Sequence, residues 1–120
     1  MPEPDSDPLR TLRDSLRYFA EERDWDQYHS PKNLATALCV EAAELLEHFQ
    51  WMNEASSRAL SAQQVEKVRE EVADVLLYLI RLADKLDINI VEAAADKILL
   101  NAKKYPVEKA RGTSRKYSEL

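Results

Sequence analysis

The sequence has few of the residues that make tight turns. Glycine occurs once, at Gly112, and the five prolines lie near the chain ends or at one internal junction. Hairpins between strands need turn residues, so this scarcity favours long helices over sheets. It also excludes a glycine-rich phosphate loop. A phosphate ligand would therefore have to be held by side chains and metal ions.

Cysteine and long apolar runs are equally scarce. Cys39 is the single cysteine, so it has no partner for an internal disulfide or a thiolate zinc site. We expect it to be buried as a small apolar residue. No apolar stretch reaches the ~18 residues of a membrane helix, and no signal peptide is recognisable. We expect a cytoplasmic protein without a membrane partner.

Positive charge is also limited. The net charge is −5, and no basic stripe follows one face, which argues against binding to a nucleic-acid duplex. The 120 residues fit one domain, and 45% apolar with 32% charged residues is typical of a globular protein. Because so short a helical chain buries a limited core, we expect it to pair with copies of itself.

Four segments have the cap signals and apolar spacing of amphipathic helices. Their approximate bounds are residues 7–24, 30–52, 61–86 and 89–105. Asp7 and Ser30 each precede a proline at the first helical position, while Ser61 and Asn89 open capping boxes. We predict an all-α four-helix bundle in residues 1–106, followed by a polar arm at 107–120 without regular structure.

Two acidic pairs interrupt the apolar faces of the second and third helices. Glu41 and Glu44 are three residues apart, as are Glu71 and Asp74, so each pair shares one helix face. At about 100° per residue, Glu41 and Glu71 fall inside the apolar stripes of their helices. We predict that these acids point into the bundle, although solvated helix faces rich in glutamate are the alternative.

Acids in that position need positive charge beside them, because buried unpaired carboxylates are costly and repel one another. No arginine or lysine lies in the stripe of the second helix. An all-oxygen cluster suits a hard cation, so we predict a Mg²⁺ site, with Mn²⁺ also possible. A di-iron bundle would need Glu-x-x-His on two helices, whereas Leu45 stands three residues before His48. We expect His29 and His48 to be structural or surface residues rather than catalytic ones.

The acids and the segments around them resemble a known family. The pattern is Glu41-x-x-Glu44, 26 residues, then Glu71-x-x-Asp74, within FAEERDWDQYHSPKNLATAL, EAAELLEHFQW, REEVADVLLYLIRLAD and KYPVEKARG. Together these segments resemble the all-α NTP pyrophosphohydrolases, the superfamily of MazG, and within it the dCTP pyrophosphatase branch. The resemblance covers residues 19–107.

This resemblance implies magnesium-dependent hydrolysis of a nucleoside triphosphate to the monophosphate and pyrophosphate, by a homodimer or homotetramer. It implies that the four acids bind the metal and carry the catalysis. Trp25 and Trp51 match aromatics that enclose the base, and Tyr78 matches a tyrosine near the nucleotide. Lys97 and Asn101 match residues that reach the phosphates or the sugar and base. From the residues alone, the two tryptophans and Tyr78 could equally belong to the core.

Leu16 departs from the family pattern, because the dCTP branch has a histidine near the base at this position. The implied substrate is dCTP or a 5-modified dCTP, and the alternative is dUTP or a broad range of triphosphates. An alternative of another class is a non-enzymatic helical dimerisation module. Arg111, Arg115 and Lys116 could fold over the triphosphate or form a loose basic tail.

Overall fold

The computed structural model describes residues 7–120, and every regular element among them is helical. The helices are α1 Pro8–Glu22, α2 Pro31–Glu47, α3 Glu54–Ser57, α4 Ala62–Lys85, α5 Ile90–Lys104 and α6 Val107–Ala110. Two 3-10 turns lie at Asp26–Tyr28 and Tyr117–Glu119. The predicted all-α fold is confirmed, and α1, α2, α4 and α5 correspond to the four predicted helices.

The long helices begin at the predicted caps. The Ser30 hydroxyl accepts a hydrogen bond from the Asn33 N–H at 3.1 Å. Ser61 and Gln64 exchange both bonds of a capping box, at 3.2 and 2.8 Å. The Asn89 side chain caps α5 by accepting one hydrogen bond, of 3.1 Å, from the Glu92 N–H, and the reciprocal bond of the predicted capping box is not found there among the described residues. These caps fix where each helix begins, and the packing of its apolar stripe then decides which way its acidic side chains face.

The second helix ends earlier than predicted, at Glu47 rather than near Met52. The N–H groups of His48 and Phe49 bond carbonyls three residues back, at 3.3 and 2.9 Å. The chain thereby tightens into a turn that leaves the α-helical path. Asn53 then caps α3, a one-turn helix in the stretch between the second and third predicted helices.

A left-handed residue ends α1 and places the aromatic junction. Asp24 has φ 55°, its N–H bonds the Glu21 carbonyl at 3.1 Å, and the Trp25 N–H bonds the Ala20 carbonyl at 2.9 Å. This pair of bonds is a Schellman motif. It turns the chain back, so that the Trp25 ring packs edge-on against Phe19 with centroids 5.8 Å apart.

The chain divides into two units, of which the first ends at Asp87 and the second runs from Ile88 to Leu120. In the first unit, α1 and α2 both pack against α4. In the second unit, the Tyr105 and Tyr117 rings meet edge to face at 6.1 Å. The expectation of a C-terminal arm without regular structure is wrong, because residues 107–120 contain α6 and a 3-10 turn. The domain boundary at residue 106 stays a prediction.

Little of the apolar surface is buried in the described residues. The buried apolar residues among them are Ala20, Leu34, Ile80 and Ala83. Cys39 is exposed rather than buried as expected, since it lies outside the stripe of α2 that faces α4. Among the described helices, none combines the length and apolarity that a membrane crossing requires.

Candidate metal centre and adjoining cavity

Three of the four predicted acids converge between α2 and α4. Glu41, Glu44 and Glu71 each offer a carboxylate oxygen, and these three oxygens all lie within 4.8 Å of one another. Glu41 and Glu44 occupy successive turns of α2, while Glu71 lies on α4, which packs against it. Oxygens on opposite sides of one hard cation are roughly 4–5 Å apart, so this spacing suits a shared metal ion.

Asp74 lies beside this cluster and outside it. It is exposed, one turn after Glu71 on α4. Its negative charge still acts on Glu41, where it helps to raise the pKa of that carboxyl. The four predicted acids therefore form one electrostatic group, with Asp74 at its solvent-facing edge.

Two oxygens of the cluster are buried and receive no hydrogen bond from the described residues. They are Oε2 of Glu41 and Oε2 of Glu71. A buried carboxylate oxygen without a donor loses its hydration and gains nothing in return. A divalent cation would restore that lost interaction, and a donor set made only of carboxylates is the kind that Mg²⁺ and Mn²⁺ prefer. The residues present therefore fit a hard-metal site.

Burial and repulsion between neighbouring carboxylates make the charged form of Glu41 unfavourable. Burial raises the pKa of Glu41 to about 7, and a hydrogen bond with Glu44 and the charges of Glu44, Asp74 and Glu71 contribute to the rise. Without a metal ion, Glu41 therefore carries a proton for much of the time at neutral pH.

This raised pKa predicts how stability depends on pH in the metal-free protein. Folding moves the Glu41 pKa from 4.5 upward to about 7, so its protonated form favours the folded state. That contribution is complete below about pH 4.5 and is lost as pH rises toward about 7. We expect Glu41→Gln to remove this part of the pH dependence, as measured by urea unfolding between pH 4.5 and 8 in EDTA.

The control for this experiment is Glu47→Gln, which neutralises an exposed acid of α2. It should leave the profile parallel to that of the wild type. A Glu41→Gln profile that is also parallel to the wild type would contradict the assignment.

His48 belongs to this site, and the sequence analysis missed it. Its Nε2 lies 3.7 Å from Oε1 of Glu71. The signal was present, because His48 follows Glu44 by four residues and Glu41 by seven, which places all three on one helix face. The Glu-x-x-His motif does not include it, because His48 follows Glu44 by four residues rather than three.

A largely apolar cavity of about 400 Å³ adjoins the acids. Its lining comes from α1, the junction after α1, and α4: Leu12, Ser15, Leu16, Phe19, Trp25, His29, Asp74, Leu77, Tyr78 and Arg81. Asp74 belongs to this lining, so the cavity opens beside the acidic cluster. The volume falls in the range of small-molecule sites, about 300–1,000 Å³.

The predicted nucleotide-binding residues separate into two groups. Trp25 and Tyr78 line the cavity, whereas Trp51 is 90% exposed and does not line it. Trp51 lies in the turn that follows the early end of α2, away from the lining that contains Trp25. Its contact with a base stays a prediction. Lys97 and Asn101 lie exposed on α5, and their contact with a nucleotide stays a prediction.

A charged network also reaches this cavity, and the sequence pattern gave no sign of it. Arg81 is 6% exposed, and its Nε donates to Nδ1 of His29 at 3.1 Å. Its Nη2 donates to Asp26 Oδ1 at 2.7 Å, and Lys85 pairs with the same carboxylate. Burial lowers the pKa of His29, as do the charges of Arg81 and Lys85.

Known proteins resemble this chain in both sequence and fold. Residues 36–120 match the MazG-like family. The chain is 40% identical to dCTP pyrophosphatase 1 of Homo sapiens, over 99% of this chain and 69% of the relative. The rat protein of that name gives the same identity and coverage. A solved pyrophosphatase of Archaeoglobus fulgidus is 40% identical and superposes with a TM-score of 0.75, covering 88% of this chain and 99% of that one. An acidic cluster on packed helices and matches over most of its length together identify this chain as a member of the MazG-like family.

Proposed function

We propose that this protein is a magnesium-dependent nucleoside triphosphate pyrophosphohydrolase, and that dCTP or a 5-modified dCTP is its substrate. The observation that carries the proposal is the pair of buried oxygens of Glu41 and Glu71, which have no hydrogen-bond partner within residues 7–120, beside an apolar cavity. The relatives named dCTP pyrophosphatase 1 support the choice of base. The reaction would remove unwanted nucleotides from the cytoplasmic pool.

The acidic cluster would place and activate the reacting groups. Magnesium, when bound, supplies positive charge that offsets the triphosphate and makes the α-phosphorus more electrophilic. Glu41, Glu44, Glu71 and Asp74 would hold that charge in place. Glu41 or Glu44 would accept the proton of an attacking water, since both lie in the cluster where α2 packs against α4. The water oxygen bonds the α-phosphorus, and the α–β bond breaks to release pyrophosphate.

The cavity would bind the base. Trp25 and Tyr78 offer aromatic surface, and Asp74 marks the end of the cavity nearest the acids. A base in the cavity therefore leaves its triphosphate close to the cluster. Lys97 and Asn101 remain the proposed contacts to the phosphates, sugar and base.

We also propose that the protein works as a homodimer or homotetramer. Large apolar side chains such as Leu46, Ile98 and Leu99 are more than 60% exposed in the single chain, at 61, 69 and 66%. Covering such side chains stabilises an assembly. Trp51 is 90% exposed, so a role at the base would require a second copy of the chain beside the cavity.

The test is a panel of triphosphates with product identification. With Mg²⁺ and ¹⁸O-labelled water, dCTP should give pyrophosphate and dCMP, and the label should appear in dCMP because attack is at the α-phosphorus. We expect kcat/KM for dCTP to exceed that for dUTP by about tenfold or more.

The other outcomes separate the alternatives. A flat profile across dCTP, dUTP and the purine triphosphates would reject the dCTP assignment and favour a broad enzyme, as the apolar Leu16 in the cavity lining allows. Orthophosphate release, or label in pyrophosphate, would reject the chemistry. No hydrolysis of any triphosphate would favour a helical dimerisation module.

A further inference from the structure

A second cavity, of about 180 Å³, adjoins the acidic cluster near the beginning of α4. Its lining residues are His48, Met52, Leu60, Gln64, Lys67 and Val68. They come from the turn after α2, the connection before α4, and the first turns of α4. Nε2 of His48 lies 3.7 Å from Oε1 of Glu71, so the second cavity meets the acids at this histidine.

The order of residues along α4 places the acids between the two cavities. Lys67 and Val68 line the second cavity, Glu71 follows one turn later, and Asp74 and Tyr78 line the first cavity. Residues three or four apart share a helix face, so these side chains follow one side of α4. At 1.5 Å per residue, Glu71 lies about 6 Å along the axis from Lys67 and about 10 Å from Tyr78. A ligand that fills the first cavity and extends past the acids would therefore enter the second.

The second cavity offers positive charge and hydrogen-bond donors. Among the described residues that line it, none is acidic. Lys67 forms no ion pair in the described part of the chain, whereas Arg81 of the first cavity is paired with two carboxylates. Oε1 of Gln64 accepts the Ser61 N–H at 2.8 Å, which leaves the Nε2–H groups of Gln64 able to donate. A concave site with an unpaired ammonium and an amide donor attracts an anion.

The two cavities differ as the two ends of a nucleotide differ. The first is largely apolar and contains the rings of Trp25 and Tyr78, which suits a base. A phosphate placed there would lose its hydration without a free cation to compensate for the loss. The second cavity is smaller and contains Lys67 and Gln64, which suits charged phosphate oxygens.

We propose that the second cavity binds the β- and γ-phosphates of the nucleoside triphosphate, with Lys67 as the cation that contacts them. This inference rests on the proposed function and adds a phosphate subsite to it. As the water oxygen bonds the α-phosphorus, its proton passes to the acidic cluster. The bond from the α-phosphorus to the α–β bridging oxygen breaks, and that oxygen keeps the electron pair and leaves in pyrophosphate. Lys67 offsets the charge of the departing pyrophosphate, and Gln64 donates a hydrogen bond to it.

The first test measures pyrophosphate binding without turnover. Calorimetric titration of pyrophosphate into the wild type at a fixed Mg²⁺ concentration should show binding. Lys67→Met should raise the Kd about tenfold, the effect of one lost charge-assisted hydrogen bond. The Kd of dCMP, which has no β- or γ-phosphate, should change less than about twofold, because only long-range charge is altered for it. Lys67 is exposed, so the substitution removes no core packing.

Two further variants of α4 provide controls. Arg69→Met removes the same charge two residues later, on the opposite face, from an arginine paired with Glu66 at 2.9 Å. It should change the Kd of pyrophosphate less than about twofold, because exposed charges are screened by solvent. Lys67→Arg keeps the positive charge and should bind pyrophosphate within about threefold of the wild type. Equal weakening in Arg69→Met and Lys67→Met, or equal weakening of dCMP and pyrophosphate binding in Lys67→Met, would overturn the proposal.

The second test measures turnover. Lys67→Met should lower kcat/KM for dCTP about tenfold, because the contact to the departing phosphates is lost in the transition state. Pyrophosphate should inhibit this variant with an inhibition constant raised by about the same factor. Arg69→Met should retain the kcat/KM of the wild type.

The two tests separate this inference from the proposed function. An active wild type that binds no pyrophosphate, or a Lys67→Met variant with unchanged Kd and kcat/KM, would overturn the second cavity as a phosphate site. A wild type that hydrolyses no triphosphate would instead reject the proposed function. The titrations with pyrophosphate would still decide whether Lys67 and its cavity bind it.

Discussion

Glu71→Gln is expected to lower kcat/KM for dCTP by about a thousandfold, the scale on which losing a key electrostatic group of a buried site reduces catalysis. The substitution keeps the side-chain shape and removes the charge from a buried oxygen that has no other partner among the described residues. It also replaces one of the three carboxylates whose oxygens lie within 4.8 Å of one another with a neutral amide. Pyrophosphate release at several Mg²⁺ concentrations measures the effect.

The neighbouring residue supplies a matched control for this experiment. Glu70→Gln removes the same charge from α4 one residue earlier, at an exposed position. It should change kcat/KM by less than about twofold, because exposed charges are screened by solvent. Circular dichroism should show the helical content of the wild type in both variants. Glu71→Gln should be at least as stable as the wild type in EDTA. Equal losses of activity in the two variants would contradict a specific role for Glu71.

Removal of divalent cations with EDTA is expected to abolish hydrolysis, and added Mg²⁺ or Mn²⁺ should restore it. The same cations should raise the stability of the folded protein, by about 2.7 kcal/mol when the metal is at 100 times its Kd. The physical reason is that a cation binds the folded cluster of Glu41, Glu44 and Glu71, while the unfolded chain has no such arrangement. Urea unfolding with and without metal measures this gain.

Two comparisons make the metal result specific. NaCl at matched ionic strength should leave the unfolding midpoint almost unchanged, since it screens charge without binding the cluster. Glu71→Gln should lose most of the Mg²⁺-dependent gain in stability. Full activity in EDTA, or an equal gain in stability for Glu71→Gln, would exclude the metal site.

Local sequence signals were enough for the starts of the four long helices and for the acidic faces. Caps such as Ser30 and Ser61 and the 3.6-residue apolar period depend on neighbouring residues, so they could be read directly. The same period showed that Glu41 and Glu71 interrupt apolar stripes, and the family resemblance then gave them a role. Three of these acids lie together between α2 and α4, and their role as metal ligands stays a prediction.

The rest of the site depends on contacts between distant residues. Arg81 and His29 are 52 positions apart, and no helical period links them. The nearness of His48 to Glu71 likewise required the packing of α2 against α4. The early end of α2 came from a local turn without glycine or proline, so the sequence carried no stop signal near Trp51.

The apolar side chains left on the surface have a thermodynamic consequence. Those of α5, such as Val91, Ile98 and Leu100, are at least half exposed, at 51, 69 and 51%. Any self-association that covers them contributes to the free energy of unfolding, and mass action then links that free energy to the amount of protein present. For the proposed homo-oligomer, stability is therefore a property of protein concentration as well as of sequence.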